Sequence, residues 1–185
     1  EIVPMAACPH SPDNVIAVKE LEGMPINQVA IGSCTNSSYR DIVLVSRILK
    51  GKRVHPNVSL VISPGSKQVL TKLSMTGELK DLIECGARIL ECGCGPCIGM
   101  GQAPESNGVS LRTFNRNFEG RSGTKTAQVY LVSPVTAALS AIHGKITDPS
   151  ILDEGTFEPV EEISYVNDNM ILTPEENVTE EVIKG

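Results

Sequence analysis

The sequence predicts an α/β fold, a three-layer αβα arrangement built on a mainly parallel sheet. Three observations predict it. From Gln28 onward short β-branched runs alternate with runs of helical periodicity. Those helical runs carry capping signals at their ends. With 185 residues, 41% of them hydrophobic, the chain is long enough to bury one sizeable core.

The elements run in order along the chain. VAIGSC (29–34) reads as a strand, and SSYRDIVLVSRILK then sets Ile42, Val45, Ile48 and Leu49 at helical spacing before Gly51. VSLVIS (58–63) is the second strand. Pro64-Gly65 turns it into SKQVLTKLSM, where Ser66 can cap a helix that stops at Gly77. ELKDLIEC is a further helix ending at Gly86, and ARILEC (87–92) is the third strand. VSLRTFN (109–115) and AQVYLVS (127–133) are the fourth and fifth. Ser133 then caps VTAALSAIH, with Pro134 at the first helical position, where its missing N–H costs nothing, and Gly144 at the end.

This α/β part is expected to occupy residues 1–148. Residues 149–185 change character: acidic residues, prolines and Asn dominate, and only YVNDNMIL hints at an edge strand, so they read as a strap or linker towards a following domain. The chain does not begin with Met, which raises the expectation of a segment of a longer protein.

Charge and composition narrow the function classes. The formal net charge is −6, there is no Trp, and aromatics make up 3%, so neither a basic groove nor a stacking platform for nucleic acid is expected. No apolar run approaches the roughly 18 residues that cross a membrane, and EIVPMAACPH lacks the pattern of a signal peptide, so the expected location is the cytoplasm. Six cysteines in such a chain read as ligands, redox groups or small buried residues before they read as a disulfide framework.

In an open parallel sheet, ligands collect outside the carboxyl ends of the strands. Cys34 closes the first predicted strand, Pro64-Gly65-Ser66 the second, Cys92 to Cys97 follow the third and Asn115-Arg116 the fourth. Cys94-Gly95-Pro96-Cys97 puts two thiols on one turn, a spacing that serves a redox dithiol or two metal ligands. The glycines at 93, 95, 99 and 101 and the lack of aromatic neighbours argue against a thioredoxin-like dithiol. A closed zinc site needs a fourth ligand, and His10, His55 and His143 are scattered singly. Cys34, Cys94 and Cys97 on one edge would instead suit an iron–sulfur cluster with one iron left open, the glycines giving backbone clearance. Arg116 and Arg121, in TFNRNFEGR, can direct two guanidiniums at carboxylates, so a small polycarboxylate losing a hydroxyl is the matching substrate.

IGSCTNSSYRD, CGPCIGM, TFNRNFEGR and YLVSPVTAALSAIHG resemble, in this order and spacing, the third domain of the aconitase family of iron–sulfur hydro-lyases. The likeness runs from about Pro9 to Asp148. PHSPDNV looks like the family's opening of this domain, and ILTPEENVTEEVIKG like the linker before its mobile swivel domain. The resemblance implies reversible dehydration of a hydroxy-tri- or dicarboxylate. It implies a [4Fe-4S] cluster on Cys34, Cys94 and Cys97, with Asn115 in its shell and Arg116 and Arg121 on substrate carboxylates. CGPCIG looks closer to true aconitases, so citrate, cis-aconitate and isocitrate in the tricarboxylic acid cycle are the expected substrates. The alternatives are a homologous hydro-lyase acting on isopropylmalate or homoaconitate, or a non-catalytic cluster- or metal-binding module. The family's serine base and the catalytic residues of its other domains have no counterpart here. The chain alone is therefore expected to be inactive and largely apo, needing the remaining aconitase domains as partners.

Two positions depart from the family's pattern: Cys92 stands where a small non-cysteine residue is expected, and Arg40 where an acidic one is common. Cys92 is a spare thiol, able to compete as a ligand or to pair on oxidation. Arg40 is expected to be a neutral surface change. Cys8 and Cys85 read as small, at least partly buried residues. Ser37, Ser38 and Ser133 read as helix caps, and His55 and His143 as an exposed loop residue and a helix-end residue. Ser66 is near enough to the site to touch a ligand.

Overall fold

The computed structural model describes residues 2–167 and 169. The elements are β1 (Met5–Ala7), β2 (Val15–Ala17), β3 (Gln28–Gly32), α1 (Tyr39–Leu49), β4 (Ser59–Ser63), α2 (Lys67–Thr76), α3 (Glu78–Glu84), β5 (Arg88–Ile89), β6 (Val109–Arg112), β7 (Gln128–Leu131) and α4 (Pro134–His143). They form one seven-stranded sheet in the order β2-β1-β7-β6-β3-β4-β5. The five strands read from the sequence, now β3 to β7, are all present and mutually parallel. The hairpin β1–β2, added antiparallel along β7, was not expected: each of its strands has three residues, too few to show an alternation.

Capping chemistry sets the helices where the sequence puts them. Ser38 Oγ accepts from the amide of Asp41, whose carboxylate in turn accepts from the Ser38 amide. Ser66 and Ser133 cap α2 and α4, and Gly77 and Gly144 end them in the left-handed conformation. Ser37 is a correction. It is buried and donates to the Ser33 carbonyl at 2.5 Å, so it braces the turn after β3 and caps nothing. His143 sits at the end of α4 against the Leu139 carbonyl, as read, whereas His55 is half-buried with its ring against Gly144.

Alternation along the strands divides the sheet into two unlike faces. Val29, Ile31, Leu60, Ile62 and Leu111 join the apolar sides of all four helices in one large core. The opposite face carries Ala30, Val61, Ser110 and Arg112, and there Phe114, Leu90 and Cys97 pack on Ala30 and Val61. A short 3-10 helix, Gly95–Ile98, stands in the loop after β5. Helices thus cover one face, and chemistry-bearing loops form the third layer on the other.

The acidic segment begins with two short 3-10 turns, Pro149–Ile151 and Glu154–Phe157, then runs along α1. Arg47 donates to the carbonyls of Glu158 and Pro159 at 2.5 and 3.4 Å, and Arg40 pairs with Glu162 at 2.9 Å. Arg40 therefore holds the strap on an exposed surface. Half of YVNDNMIL, including all of MIL, and all of ILTPEENVTEEVIKG lie outside the described residues.

The end of β3 demands glycine for two reasons. Gly32 has φ +99, and a Cβ there would overlap the Ser63 carbonyl, which accepts from the Ser33 amide at 2.7 Å. Gly51 also has positive φ, yet a Cβ there would meet nothing within 4 Å. Gly32→Ala should therefore lose roughly 2 to 4 kcal/mol and Gly51→Ala only about 1. Denaturant unfolding checks this, and equal losses would show that the close approach of Ser63 is not limiting.

Candidate functional site

The sheet's connectivity creates a crevice before any side chain is considered. The chain leaves β3 towards β4 and β5, then returns to place β6 on the other side of β3. In open α/β sheets the carboxyl ends of two such strands, at the point where the order reverses, are where ligands bind. Cys34 follows β3 and Asn115 follows β6.

Two consecutive left-handed residues, Gly32 and Ser33 (φ 99 and 85), turn the chain out of β3 towards Cys34. Three hydrogen bonds lock that turn to the end of β6. The Gly32 amide donates to Thr113 Oγ1 at 2.9 Å, Asn36 Nδ2 to the Thr113 carbonyl at 2.7 Å, and Asn115 Nδ2 to Thr35 Oγ1 at 2.8 Å. From the other side, Ser63 Oγ donates to the Glu91 carbonyl at 2.8 Å, holding the start of the cysteine loop against β4.

The result is a cleft of about 130 Å³ lined by Cys34, Cys94, Cys97, Phe114, Asn115, Arg116 and Arg121. All six residues singled out by sequence, three thiols, an amide and two guanidiniums, therefore share one hollow. The sulfurs of Cys94 and Cys97 lie 3.3 Å apart, and Ser33 Oγ is 3.1 Å from Cys97 Sγ. Cys94 is held below the usual thiol range, chiefly by hydrogen bonding from Cys97, then by Ser33 and Cys34 and by the charge of Arg121. Cys97 is pushed up, first by burial and also by its two thiol neighbours. Of this pair, Cys94 therefore loses its proton first.

Arg121 is half-buried, and its Nε finds no partner among the described residues although it is shut off from water. A buried donor left open at the wall of a cleft fits an anionic ligand that enters it. Arg116 is exposed at the same cleft.

Two expectations need correction. Ser66 caps α2 and does not line the cleft. One glycine of the cysteine loop serves packing instead of clearance for a ligand: Gly99, at φ +84, lies so close to the Ser122 carbonyl that a Cβ would overlap it, whereas a Cβ at Gly93 or Gly101 would meet nothing within 4 Å. Cys92 is placed on the far side of the loop, in a separate hollow with Arg88, Pro96 and Met100, where burial raises its pKa. Cys85 is buried with its thiol donating to the Leu82 carbonyl, and Cys8 is half-buried, both as read.

Sequence reading missed two residues that build the site. Arg112, 0% exposed, donates to the Pro96 and Gln102 carbonyls of the cysteine loop at 2.6 and 3.0 Å. Asn117 is equally buried and donates to the Cys8 carbonyl at 2.8 Å and to that of Val129 at 3.2 Å, fixing the arginine turn to β1 and β7. The signal for Arg112 was a lone charge in the otherwise uncharged stretch VSLRTF.

The donor chemistry fits a thiolate-bound cluster. Cys34, Cys94 and Cys97 stand together in the wall of one cleft. Three thiols with a lowered first pKa and a buried cation behind them suit a group of several metal atoms and net negative charge.

The profile of the aconitase family (aconitate hydratase) matches residues 10–144. Among curated relatives, 3-isopropylmalate dehydratase large subunit 1 of Methanopyrus kandleri is 47% identical over 151 residues, 80% of this chain and 36% of that protein. The 3-isopropylmalate dehydratase large subunit of Thermococcus kodakarensis is 49% identical over 148 residues, covering 79% and 38%. The methanogen homoaconitase large subunit of Methanocaldococcus jannaschii is 44% identical over 143 residues, covering 77% and 34%. The chain thus spans between 34% and 38% of the length of these relatives. None of the three is named aconitate hydratase, and the citrate reading drawn from CGPCIG, with its place in the tricarboxylic acid cycle, loses its support. The physical reason is that this turn supplies two thiols and loop packing, while the arginines that would meet a substrate stand on another loop.

At neutral pH the thiolate, not the thiol, reacts with iodoacetamide. Cys94, lowered and exposed, should be alkylated ahead of Cys97, Cys92 and Cys85, all of them raised. Peptide mapping of a time course checks the order; Cys92 or Cys85 reacting first would contradict it.

Proposed function

This chain belongs to the aconitase family, and from that premise we propose that it is the cluster-bearing part of a hydro-lyase large subunit whose substrate is a hydroxy dicarboxylate of the isopropylmalate kind. The observation that carries the reading is the single cleft shared by Cys34, Cys94, Cys97, Asn115, Arg116 and Arg121. A homoaconitate-type tricarboxylate is the second reading, favoured by the likeness to the methanogen homoaconitase.

Cys34, Cys94 and Cys97 would hold a [4Fe-4S] cluster. Bound there by three thiolates, it supplies one iron with an open position, a Lewis acid for the substrate's hydroxyl. The chain's own residues do the rest of the positioning. Asn115, anchored to Thr35, presents a fixed amide beside the thiols. Arg116 and Arg121 grip carboxylates, which orients the hydroxyl-bearing carbon and neutralises the substrate's charge. Phe114 closes the inner wall of the cleft against water.

No side chain of the cleft other than the thiols can take up a proton at neutral pH, since amide and guanidinium cannot serve as bases there. The base that removes the carbon-bound proton is therefore assigned to another part of the assembly. The relatives' name, large subunit, fits a small-subunit partner supplying it.

Anaerobic reconstitution with ferrous iron and sulfide tests the ligand set. The wild type and Cys92→Ser should both gain the broad visible absorption of a cubane cluster, and Cys34→Ser and Cys97→Ser should not. A folded wild type that stays colourless, or a Cys34→Ser variant that assembles normally, would contradict the assignment. In the assembled enzyme, Arg121→Lys should raise KM for isopropylmalate by about tenfold or more while leaving cluster content unchanged. Turnover of citrate in preference to isopropylmalate would overturn the substrate reading.

A further inference from the structure

Arg112 is the largest fully buried side chain among the described residues, and its surroundings are unusual for a charge. Its guanidinium donates to the Pro96 carbonyl at 2.6 Å, the Gln102 carbonyl at 3.0 Å, Gln28 Oε1 at 2.8 Å and Ser110 Oγ at 3.1 Å. The Phe114 ring lies 5.3 Å from its central carbon. Every one of these partners is neutral. The ion pairs among the described residues, Arg40–Glu162, Lys50–Asp81 and Lys80–Glu84, leave Arg112 out.

A buried guanidinium without a counter-charge is costly. Burial lowers its pKa to about 10, with the negative charge of Cys97 acting in the opposite sense, so it remains a cation at neutral pH. Hydrogen bonding to carbonyls satisfies its donors but not its charge. Among the described residues the negative charge that acts on Arg112 is that of Cys97, and Pro96, which accepts a hydrogen bond from Arg112, lies between Cys94 and Cys97 in the chain.

We propose that Arg112 is a positioning residue for the cluster: it clamps the loop bearing Cys94 and Cys97 and places a fixed positive charge behind it that raises the cluster's reduction potential. The proposal rests on the cluster reading above. A core of four irons and four sulfides carrying two positive charges, held by three thiolates, has one net negative charge, and one-electron reduction makes it two. A nearby cation stabilises the second state more than the first. The clamp and the charge are separable. Lysine keeps the charge but not the fork that reaches both loop carbonyls. Gln28→Glu keeps the fork and sets a carboxylate where Gln28 Oε1 accepts from Arg112, at the loss of the bond that Gln28 Nε2 donates to the Ala103 carbonyl.

The test is a dithionite titration of the full-length protein after anaerobic reconstitution with ferrous iron and sulfide, followed by the spectrum of the reduced cluster. Arg112→Lys should lower cluster yield severalfold with little change in midpoint potential. Gln28→Glu and Arg112→Gln should each move the potential to more negative values. Thermal unfolding of each variant establishes that it is folded; should Arg112→Gln fail to fold, Gln28→Glu decides the charge and Arg112→Lys the clamp. A folded, fully loaded Gln28→Glu variant with the wild-type potential overturns this proposal alone. A wild type that takes up no cluster removes it together with the cluster reading.

Discussion

The reversal of strand order between β3 and β6 is the constraint on which the rest of this structure depends. It separates the carboxyl ends of two adjacent parallel strands and sends their continuing chains apart, which leaves a crevice that no helix fills. A small polar seam keeps that crevice in one shape. Thr113 receives the Gly32 amide on its hydroxyl and the Asn36 side chain on its carbonyl, and Asn115 reaches back to Thr35. Each loop is thereby fixed by the other, and each carries groups of the cleft.

The unequal faces of the sheet obey the same division of labour. Helices bury one face in a continuous apolar core, which supplies stability and asks nothing of the loops. The other face is covered by the segment after β5, and its contact with the sheet is largely polar: Arg112, Gln28, Ser110 and Ser63 bond to loop carbonyls or to one another. Buried polar networks of this kind specify a single arrangement, because a shifted loop would leave several buried groups unpaired. Precision at Cys94 and Cys97 is thus built from the backbone carbonyls around them.

Much of this was legible in the sequence because local chemistry and the fold agree. The five parallel strands, the caps at Ser66 and Ser133 and the stops at Gly77 and Gly144 sit where residue type and periodicity put them. The six cleft residues were found because strand ends in a parallel sheet concentrate function, and because the motifs resemble one family. The features that were not legible depend on distant parts of the chain. Ser37 looks like a cap and is a brace, since its partner is set by the left-handed turn at Ser33. Arg112 drew no reading from the sequence and is buried, because the loop that covers it begins some twenty residues earlier in the chain. The substrate branch read from CGPCIG finds no support in the names of the relatives, and that turn's own demands are those of thiol placement and packing.

Mössbauer spectroscopy of the protein reconstituted with iron-57 measures whether Cys34, Cys94 and Cys97 together hold one cluster and leave one iron without a cysteine. Three irons in sulfur coordination and a fourth, distinct iron whose parameters change when the dicarboxylate substrate is added would be the predicted spectrum. Four equivalent irons indifferent to substrate would contradict it, for they would require a fourth thiolate, which Cys92 could supply only if it left its hollow on the far side of the loop.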